Sequence, residues 1–301
     1  MVDMSENWRV RRAGPGFKWP DGAKVAVVFN IAYEGWSDGK APGIGPMGNV
    51  LQAGFFDTNA ASWGGYGPVR GIQRLQRIAT ANGIKTSVMT NGVLAEKWPD
   101  TVAALAAGGH DIVAHSYGMD VIPVYLDEAQ ERANIERTTA LITAACGERP
   151  VGWISPRATN SPRSQRLLAE AGYIWHGDCN DDDLPALIEV GGASASALAP
   201  ASPLVAIPLT MDINDLPHCI RYGNAPEALI DQFKALLERA TLADAQPFML
   251  DVTAHTHVFG RPSGAWVFDA MMRIARARSD IWIATRRDIA AYAIEQREHF
   301  D

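Results

Sequence analysis

The sequence has few cysteines and no pattern that would join them. Its 301 residues include three cysteines, Cys146, Cys179 and Cys219, which are widely spaced. Three scattered cysteines exclude the dense disulfide framework of a small secreted domain. Because no Cys-x-x-Cys pair occurs, a thiolate zinc site is not expected either. We interpret all three as small apolar side chains.

Long apolar runs, basic clusters and nucleotide fingerprints are also missing. No stretch approaches the ~20 apolar residues of a membrane-spanning helix, and the basic residues near the N-terminus have no apolar run behind them. The formal net charge is −7 without a basic stripe, which argues against nucleic acid or an anionic membrane as a partner. Neither a dinucleotide-binding glycine motif nor a P-loop occurs. We therefore expect a cytoplasmic protein whose partner is a small-molecule substrate.

Short β-branched runs alternate with longer helical patterns along the whole chain. The run KVAVVFNI at residues 24–31 is typical of a strand, whereas residues 127–146 have the length and pattern of a helix. About seven such units predict a mostly parallel sheet with helical crossovers. We predict an α/β fold, a closed or nearly closed β/α barrel in a single domain over residues 1–301, with residues 1–20 as an N-terminal arm. A doubly wound open sheet is the alternative.

Residues 35–66 are rich in Gly, Pro and Asn and show little periodicity, which predicts a long loop. A loop of this length in a compact domain is usually functional. Its aromatic residues are Trp36, Phe55, Phe56, Trp63 and Tyr66. They favour either an apolar or planar substrate or a contact between subunits, and we place Trp36 in the substrate site.

Polar residues directly follow six of the predicted strands. The active sites of β/α barrels lie at the carboxyl ends of the strands. The residues at those ends are Tyr33 and Glu34; His115; Arg157; Asp178, Asp181, Asp182 and Asp183; Asn214 and Asp215; and His255 and His257. This gathering of carboxylates, imidazoles, amides and a guanidinium predicts a catalytic site rather than packing.

The segment AHTHVFGRP, residues 254–262, holds two histidines one residue apart. In an extended chain, residues i and i+2 point the same way, so His255 and His257 are expected on one face, ~6–7 Å apart. An imidazole has an unperturbed pKa of ~6.5, so it can act as an acid near neutral pH. We expect His255 to protonate a leaving nitrogen. His257 then binds a metal ion or a substrate oxygen.

These residues resemble the polysaccharide deacetylase family, the nodulation-type deacetylase fold. The resemblance runs from Trp19 to Tyr292 and rests on the motifs GWISPR, SPRSQRLLAEAGY, NDDDLP, DINDLP, AHTHVFGRP and IWIATRRDIA. The best match is the branch that contains metal-independent allantoinases, cyclic imide hydrolases and a cytoplasmic peptidoglycan-deacetylase-like group. The resemblance implies a distorted (β/α)7-type barrel, a homo-oligomer (dimer or tetramer), and hydrolysis of a C–N bond that is not a peptide bond.

The sequence departs from the sugar-active members at their metal site. Those members end the first strand with two aspartates, whereas residues 30–34 here read NIAYE and leave Glu34 as the only carboxylate. They also carry two metal-binding histidines four residues apart; here His115 remains, but Met119 replaces the second. A thioether is a poor ligand for zinc. The resemblance therefore leaves two possibilities open: one divalent ion, most plausibly zinc, on Glu34 and His115, or no metal.

The strand-end positions and the resemblance together assign the roles. The candidate catalytic residues are Glu34, His115, Arg157 and His255; the candidate substrate-binding residues are Tyr33, Trp36, Asp183, Asn214, Asp215 and His257. Glu34, His115 or a shared metal would activate water, and Arg157 would stabilise the oxyanion or pair with an aspartate of the Asp181, Asp182 and Asp183 cluster.

We expect hydrolysis of a small amide, cyclic imide or ureide. The first alternative is metal-dependent N-deacetylation of peptidoglycan or a chitooligosaccharide. The second is a non-catalytic binding protein on a degenerate barrel.

Overall fold

The computed structural model describes residues 8–48, 50–52, 54–190, 203–242 and 246–301. The strands of these ranges are β1 (Trp8–Arg12), β2 (Val25–Tyr33), β3 (Ser87–Thr90), β4 (Asp111–Ala114), β5 (Gly152–Trp153), β6 (Trp175–His176), β7 (Ala186–Val190), β8 (Leu204–Ala206), β9 (Ile213–Asn214), β10 (Phe248–His255) and β11 (Ile281–Ala284). The α-helices are α1 (Thr58–Tyr66), α2 (Ile72–Ala81), α3 (Gly92–Lys97), α4 (Pro99–Ala107), α5 (Glu128–Cys146), α6 (Ser164–Glu170), α7 (Ala228–Arg239), α8 (Pro262–Arg276) and α9 (Arg286–Glu295). Two π-helical segments, Gly67–Gly71 and Leu216–Arg221, and four short 3-10 turns complete them.

The strands form a single sheet in the order β1-β7-β8-β6-β5-β4-β3-β2-β10-β9, with β11 also paired to β2. All pairs are parallel except β1 with β7 and β7 with β8. Strand β2 pairs with β10 along one edge, while its other edge pairs first with β11 and then with β3. This sharing of one edge distorts the barrel. The predicted distorted (β/α)7-type barrel is confirmed.

Side chains alternate strictly along β2, and the alternation decides which residues can reach the site. Residues 25, 27, 29, 31 and 33 pack outward in the main core with helices α2 and α8, whereas Ala26, Val28 and Ala32 face the barrel interior. Tyr33 therefore lies in the outer core and is fully buried. Its prediction as a substrate-binding residue is wrong for this reason. Glu34, the next residue, faces inward.

A layer of buried polar side chains connects β10 to the chain directly after β8, although β8 and β10 are not paired through their backbones. On β10, the inward Asp251 forms an ion pair of 2.7 Å with Arg286, and both side chains are fully buried. The Asn30 amide donates to the same carboxylate at 2.7 Å. The chain beyond β8 joins this layer, because the Thr210 backbone N–H donates to Asp251 Oδ2 at 2.8 Å. The segment IATRRDIA thus contributes a structural arginine.

The helices begin and end where local chemistry requires it. Asp127 caps α5 by accepting from the Gln130 backbone N–H at 2.9 Å, and the helix ends at Gly147, whose φ of 75° needs the freedom of glycine. This agrees with the helix predicted over residues 127–146. In the described ranges, no helix combines the length and the apolar character needed to cross a membrane.

Two predicted irregular segments contain regular structure. Helix α1 occupies the end of the predicted 35–66 loop and begins after Asp57, whose side chain accepts from the Ala60 N–H at 2.8 Å. Its glycines, Gly64 and Gly65, hid the helical pattern. The predicted arm at residues 1–20 includes β1, an edge strand paired antiparallel with β7; residues 1–7 lie outside the described part.

Candidate active site

A cavity of about 440 Å³ opens at the carboxyl ends of the strands. Its floor consists of Glu34, His115, His255 and His257, which are all buried. Its mouth consists of Arg157 and Arg221, which are exposed, and the half-buried Trp36. A cavity of this size is typical of small-molecule sites. A depression of about 540 Å³ between α5 and α6 contains helix residues and no strand end.

Glu34 is the point on which the floor converges. Its Oε1 lies 3.5 Å from His255 Nε2 and 3.8 Å from His115 Nε2, and its Oε2 lies 3.9 Å from His257 Nε2. Burial alone would raise the pKa of this carboxyl, but the surrounding imidazoles, His255 first, outweigh it and lower the pKa to about 2. Glu34 is therefore ionised throughout the physiological range.

His255 is held in its protonated form by a buried aspartate. Asp215 Oδ1 lies 2.5 Å from His255 Nδ1, and Asp215 Oδ2 accepts the backbone N–H groups of His255 at 2.8 Å and Phe259 at 3.0 Å. Burial works against the charged ring, but Asp215 and Glu34 prevail and raise the pKa of His255 to about 9. Nε2 consequently carries a proton that faces the cavity.

His257 has the opposite character although it lies on the same face. Its ring packs edge-to-face against Trp63 and Trp36, with centroid distances of 4.4 and 5.7 Å. Burial in this aromatic slot lowers the pKa of His257 to about 4, so the ring is neutral. The His255 and His257 ring centroids lie 5.7 Å apart, slightly closer than an ideal strand predicts.

His115 follows β4 and is fixed by a backbone carbonyl. Its Nδ1 donates to the Ile154 carbonyl oxygen at 2.5 Å, which orients Nε2 towards Glu34. His115 Nε2 and Glu34 Oε1 therefore face one spot in the cavity, and His255 Nε2 lies beside them.

The floor does not fit the divalent cation of the sugar-active members. Because Asp215 and Glu34 raise the pKa of His255, a metal ion at its Nε2 would have to displace a proton. Met119 lines the cavity with a thioether, a poor zinc ligand. Within the described part of the chain, no group of three or more His, Cys, Asp or Glu side chains is arranged to hold a metal ion. The hypothesis of zinc on Glu34 and His115 gains no support from these side chains.

The structure brings most of the predicted site residues together. Those that line the cavity are Glu34, Trp36, His115, Arg157, Asn214, His255 and His257. Their chemical roles stay predictions. Asp215, predicted to bind substrate, is fully buried behind His255 and positions that ring instead, so this prediction is corrected.

The aspartate cluster after β6 lies outside the cavity. Asp181 and Asp182 pair with Arg12 of β1, at 2.7 and 2.6 Å, and Asp183 lies exposed beside them. The prediction that Asp183 binds substrate is therefore wrong, as is a pairing of Arg157 with this cluster. The arginine that pairs with this cluster is Arg12 of the edge strand β1.

Other residues at the cavity were not assigned a role from the sequence, although Trp63 was noted among the aromatic residues of the 35–66 loop and Asp178 among the strand-end residues. Trp63 reaches the cavity from α1, and Arg221 from the second π-helical segment. Asp178 lies behind the cavity and accepts from Ser155 N–H at 2.7 Å and Ser155 Oγ at 2.6 Å. Burial raises the pKa of Asp178 to about 6. The position of Asp178 just after β6 was the sequence feature that could have placed it near the site.

Comparisons with known proteins agree with this geometry. A family model described as polysaccharide deacetylase matches residues 65–175. A Schizosaccharomyces pombe protein assigned to the polysaccharide deacetylases is 22% identical over 296 residues, which cover 90% of this chain and 91% of the relative.

Solved structures extend the likeness over nearly the whole chain. A Pseudomonas aeruginosa protein assigned to the polysaccharide deacetylases is 28% identical, with a TM-score of 0.79 over 93% of this chain and 94% of the other. PuuE allantoinase is 27% identical, with a TM-score of 0.80 over 91% of this chain and 92% of the other. Residues 65–175 therefore match the polysaccharide deacetylase family model, and nearly the whole chain is similar to solved structures that include a polysaccharide deacetylase and an allantoinase. On this likeness the chain is a hydrolase of carbon–nitrogen bonds other than peptide bonds.

Proposed function

We propose that the cavity hydrolyses a C–N bond of a small amide, cyclic imide or ureide. The observation that carries the proposal is the Glu34–His255–Asp215 arrangement, in which an ionised carboxylate lies 3.5 Å from an imidazolium that a buried aspartate holds in place. Such an arrangement supplies a donor for a leaving nitrogen and an acceptor for water in one buried site.

Water is activated on the side of His115. One water molecule can donate to both Glu34 Oε1 and His115 Nε2, whose 3.8 Å separation suits a shared partner. The low pKa of Glu34 makes it a poor final proton acceptor, so we assign the proton to His115 Nε2 and the orientation of the water to Glu34. The negative charge of Glu34 then stabilises the imidazolium that forms.

The leaving nitrogen departs on the side of His255. The water oxygen bonds to the carbonyl carbon, and the C–N bond breaks as His255 Nε2 transfers its proton to the nitrogen. Asp215 retains its negative charge and stabilises the ring before the transfer. The products are a carboxylic acid and an amine, or the two ends of one opened ring. The Asn214 amide, which lines the cavity, is the side-chain donor available to the developing oxyanion, whereas Arg157 lies exposed at the mouth.

A substrate panel tests the proposal. The purified chain is assayed against cyclic imides, hydantoins, allantoin and simple N-acyl amines, with acetate release from N-acetylglucosamine oligomers measured in parallel. We expect turnover on at least one small amide, imide or ureide. Activity confined to acetylated sugar oligomers would instead support the alternative function, carbohydrate N-deacetylation, which the family model favours.

Metal content is measured on the same preparation. The proposed reaction uses no metal ion, so we expect the rate to survive chelation within about twofold, with substoichiometric metal by elemental analysis. Loss of activity on chelation, restored by zinc, would place an ion on Glu34 and His115 and overturn this assignment of the water-activating groups.

We also propose that a second copy of the chain covers the loop between β2 and α1. Met47, Val50, Leu51, Phe55 and Phe56 expose between 51% and 76% of their surface there, more apolar surface than scattered side chains account for. A light-scattering mass above that of one 32.6 kDa chain is expected; a mass equal to one chain would contradict the proposal.

A further inference from the structure

Two guanidinium groups at the mouth have no partner within the described residues. Arg157 and Arg221 line the cavity and are exposed, and neither side chain forms a hydrogen bond or an ion pair in the described ranges. Other arginines of the chain are matched with carboxylates: Arg12 with Asp181 and Asp182, Arg278 with Asp280, and Arg286 with Asp251. Exposed arginines elsewhere, such as Arg70, Arg77 and Arg276, also lack a partner in the described ranges, but Arg157 and Arg221 are the arginines that line the cavity.

The backbone at Arg157 is held in an unfavourable conformation. Arg157 has φ of 61° and Ala158 has φ of 49°, in the left-handed region that favours glycine. Residues other than glycine in this conformation are strained, and they persist where the surroundings enforce them. Here Pro156 lies on one side, and Ser155 is fixed to Asp178 by two hydrogen bonds. The strained turn carries the Arg157 side chain at the cavity edge.

Arg221 lies on the chain segment that directly follows Asp215 of the catalytic floor. It ends the π-helical segment Leu216–Arg221, which follows directly after Asp215, the partner of His255. Leu216 and Pro217 of the same segment line the cavity. π-helical segments are rare and are frequently found at functional sites.

The charge of the cavity lining is unbalanced in favour of an anion. Glu34 is the only carboxylate among the described lining residues, and with Asp215 behind His255 the two carboxylates exceed the one imidazolium by a single negative charge, which is fewer than the two arginine charges. The two arginines therefore leave an excess of positive charge at the mouth, although the chain as a whole has a net charge of −7. Guanidinium groups bind carboxylates through two parallel hydrogen bonds.

We propose that the substrate carries a free carboxylate, which Arg157 and Arg221 bind at the mouth while the scissile C–N bond lies over Glu34 and His255. The class is an amide, ureide or cyclic imide with a carboxylate substituent. The hydrolysis of this substrate rests on the proposed function, whereas the binding of its carboxylate by the two arginines does not. It makes the two arginines specificity residues.

Matched substrate pairs test the proposal. 5-Carboxymethylhydantoin is compared with its carboxamide, which has the same shape and no charge. We expect the wild-type protein to prefer the carboxylate by at least ~10-fold in kcat/KM, about 1.4 kcal/mol. Arg157→Gln and Arg221→Gln should each reduce that ratio several-fold, and the double variant should abolish it. Arg276→Gln is the control, because Arg276 is exposed at the opposite end of the barrel.

A binding measurement separates this inference from the proposed function. Succinate should raise the Tm of the wild-type protein, succinamide should not, and the double arginine variant should lose the response. Stabilisation by succinate without turnover of any panel substrate would leave the anion site standing and overturn the proposed function. Turnover with no preference for the carboxylate, or a preference unchanged by both substitutions, would overturn the anion site alone.

Discussion

The floor and the mouth of the cavity treat charge in opposite ways. On the floor, Glu34, His255 and Asp215 are buried, and each charge faces an opposite charge within hydrogen-bond or ion-pair distance. At the mouth, Arg157 and Arg221 are exposed and have no partner among the described residues. Buried, preorganised charges act strongly on a reaction because little water screens them. Exposed cations select a ligand. The difference separates chemistry from recognition.

On the floor, the pKa values of His255 and His257, which lie at the end of the same strand, are shifted in opposite directions. Asp215 and Glu34 overcome burial at His255, whose pKa rises to about 9, whereas burial against two tryptophans lowers the pKa of His257 to about 4. One ring is therefore an acid at neutral pH and the other a neutral dipole. Their environments, rather than their spacing in the sequence, assign these states.

The largest effect is expected from His255→Ala. This change removes the proton donor to the leaving nitrogen and should lower kcat by roughly 10²–10⁴, with KM nearly unchanged. Steady-state kinetics on the best panel substrate provide the measurement, and near-ultraviolet circular dichroism checks the fold. His299→Ala, a change in the C-terminal 3-10 turn Arg297–His299, is the matched control. Full activity in the His255→Ala variant would show that His255 is not the proton donor to the leaving nitrogen.

Asp215→Asn should produce the next largest effect and a change in pH dependence. The reaction needs His255 protonated, so wild-type kcat/KM should fall as the pH rises through about 9. Without the aspartate charge, the pKa of His255 moves down, and the falling limb shifts to lower pH. At pH 8 we expect a loss of ~10–10²-fold, with a smaller loss at lower pH.

The control for this variant is Asp212→Asn, an exposed carboxylate three residues earlier on the same segment. It should leave the pH profile unchanged. Asp215 also accepts two backbone N–H groups, so the asparagine variant loses some stability as well. A uniform loss of activity at every pH, with the limb still near 9, would show that Asp215 only supports the fold.

Much of the barrel and of the site at its rim could be predicted from the sequence. Hydrophobic periodicity identifies the strands and helices, and the polar residues that follow the strands identify the site. Helix α5 coincides with the helix predicted over residues 127–146, and β10 ends at His255, one of the predicted strand-end residues. The carboxyl ends of parallel strands meet at one end of a barrel, so polar residues after separate strands had to converge there. That argument needed no knowledge of which strands are neighbours.

The errors arise where the outcome depends on a partner distant in the chain. The predicted first strand stopped at Ile31, but β2 continues to Tyr33, and the two extra residues turn that ring outward. Asp183 was misplaced because Arg12, about 170 residues away, draws its neighbours to the outer surface. Asp215 was predicted to bind substrate because its contact with His255, 40 residues away, cannot be read from the sequence.

The smallest expected effect concerns the mouth alone and comes from a pair of glycines in α1. A Cβ at Gly64 would lie 2.9 Å from the Trp36 ring and 3.0 Å from Pro42, whereas a Cβ at Gly65 would meet nothing within 4 Å. Both Gly→Ala changes should favour the helix by roughly 0.5–1 kcal/mol. Only Gly64→Ala should displace Trp36, which lines the cavity and contacts His257 edge-to-face.

We therefore expect Gly64→Ala to raise KM by about 3–10-fold, the loss of roughly 1 kcal/mol of aromatic contact, with kcat within about twofold of wild type. Gly65→Ala should leave both constants unchanged and raise Tm slightly. Because the two substitutions are chemically identical and adjacent, helix propensity cancels between them, and the KM difference reports the displacement of Trp36. An equal KM in both variants would show that Trp36 does not bind substrate. A fall in kcat confined to Gly64→Ala would show that mouth and floor are mechanically coupled through Trp36 and His257, and the separation of recognition from chemistry would fail.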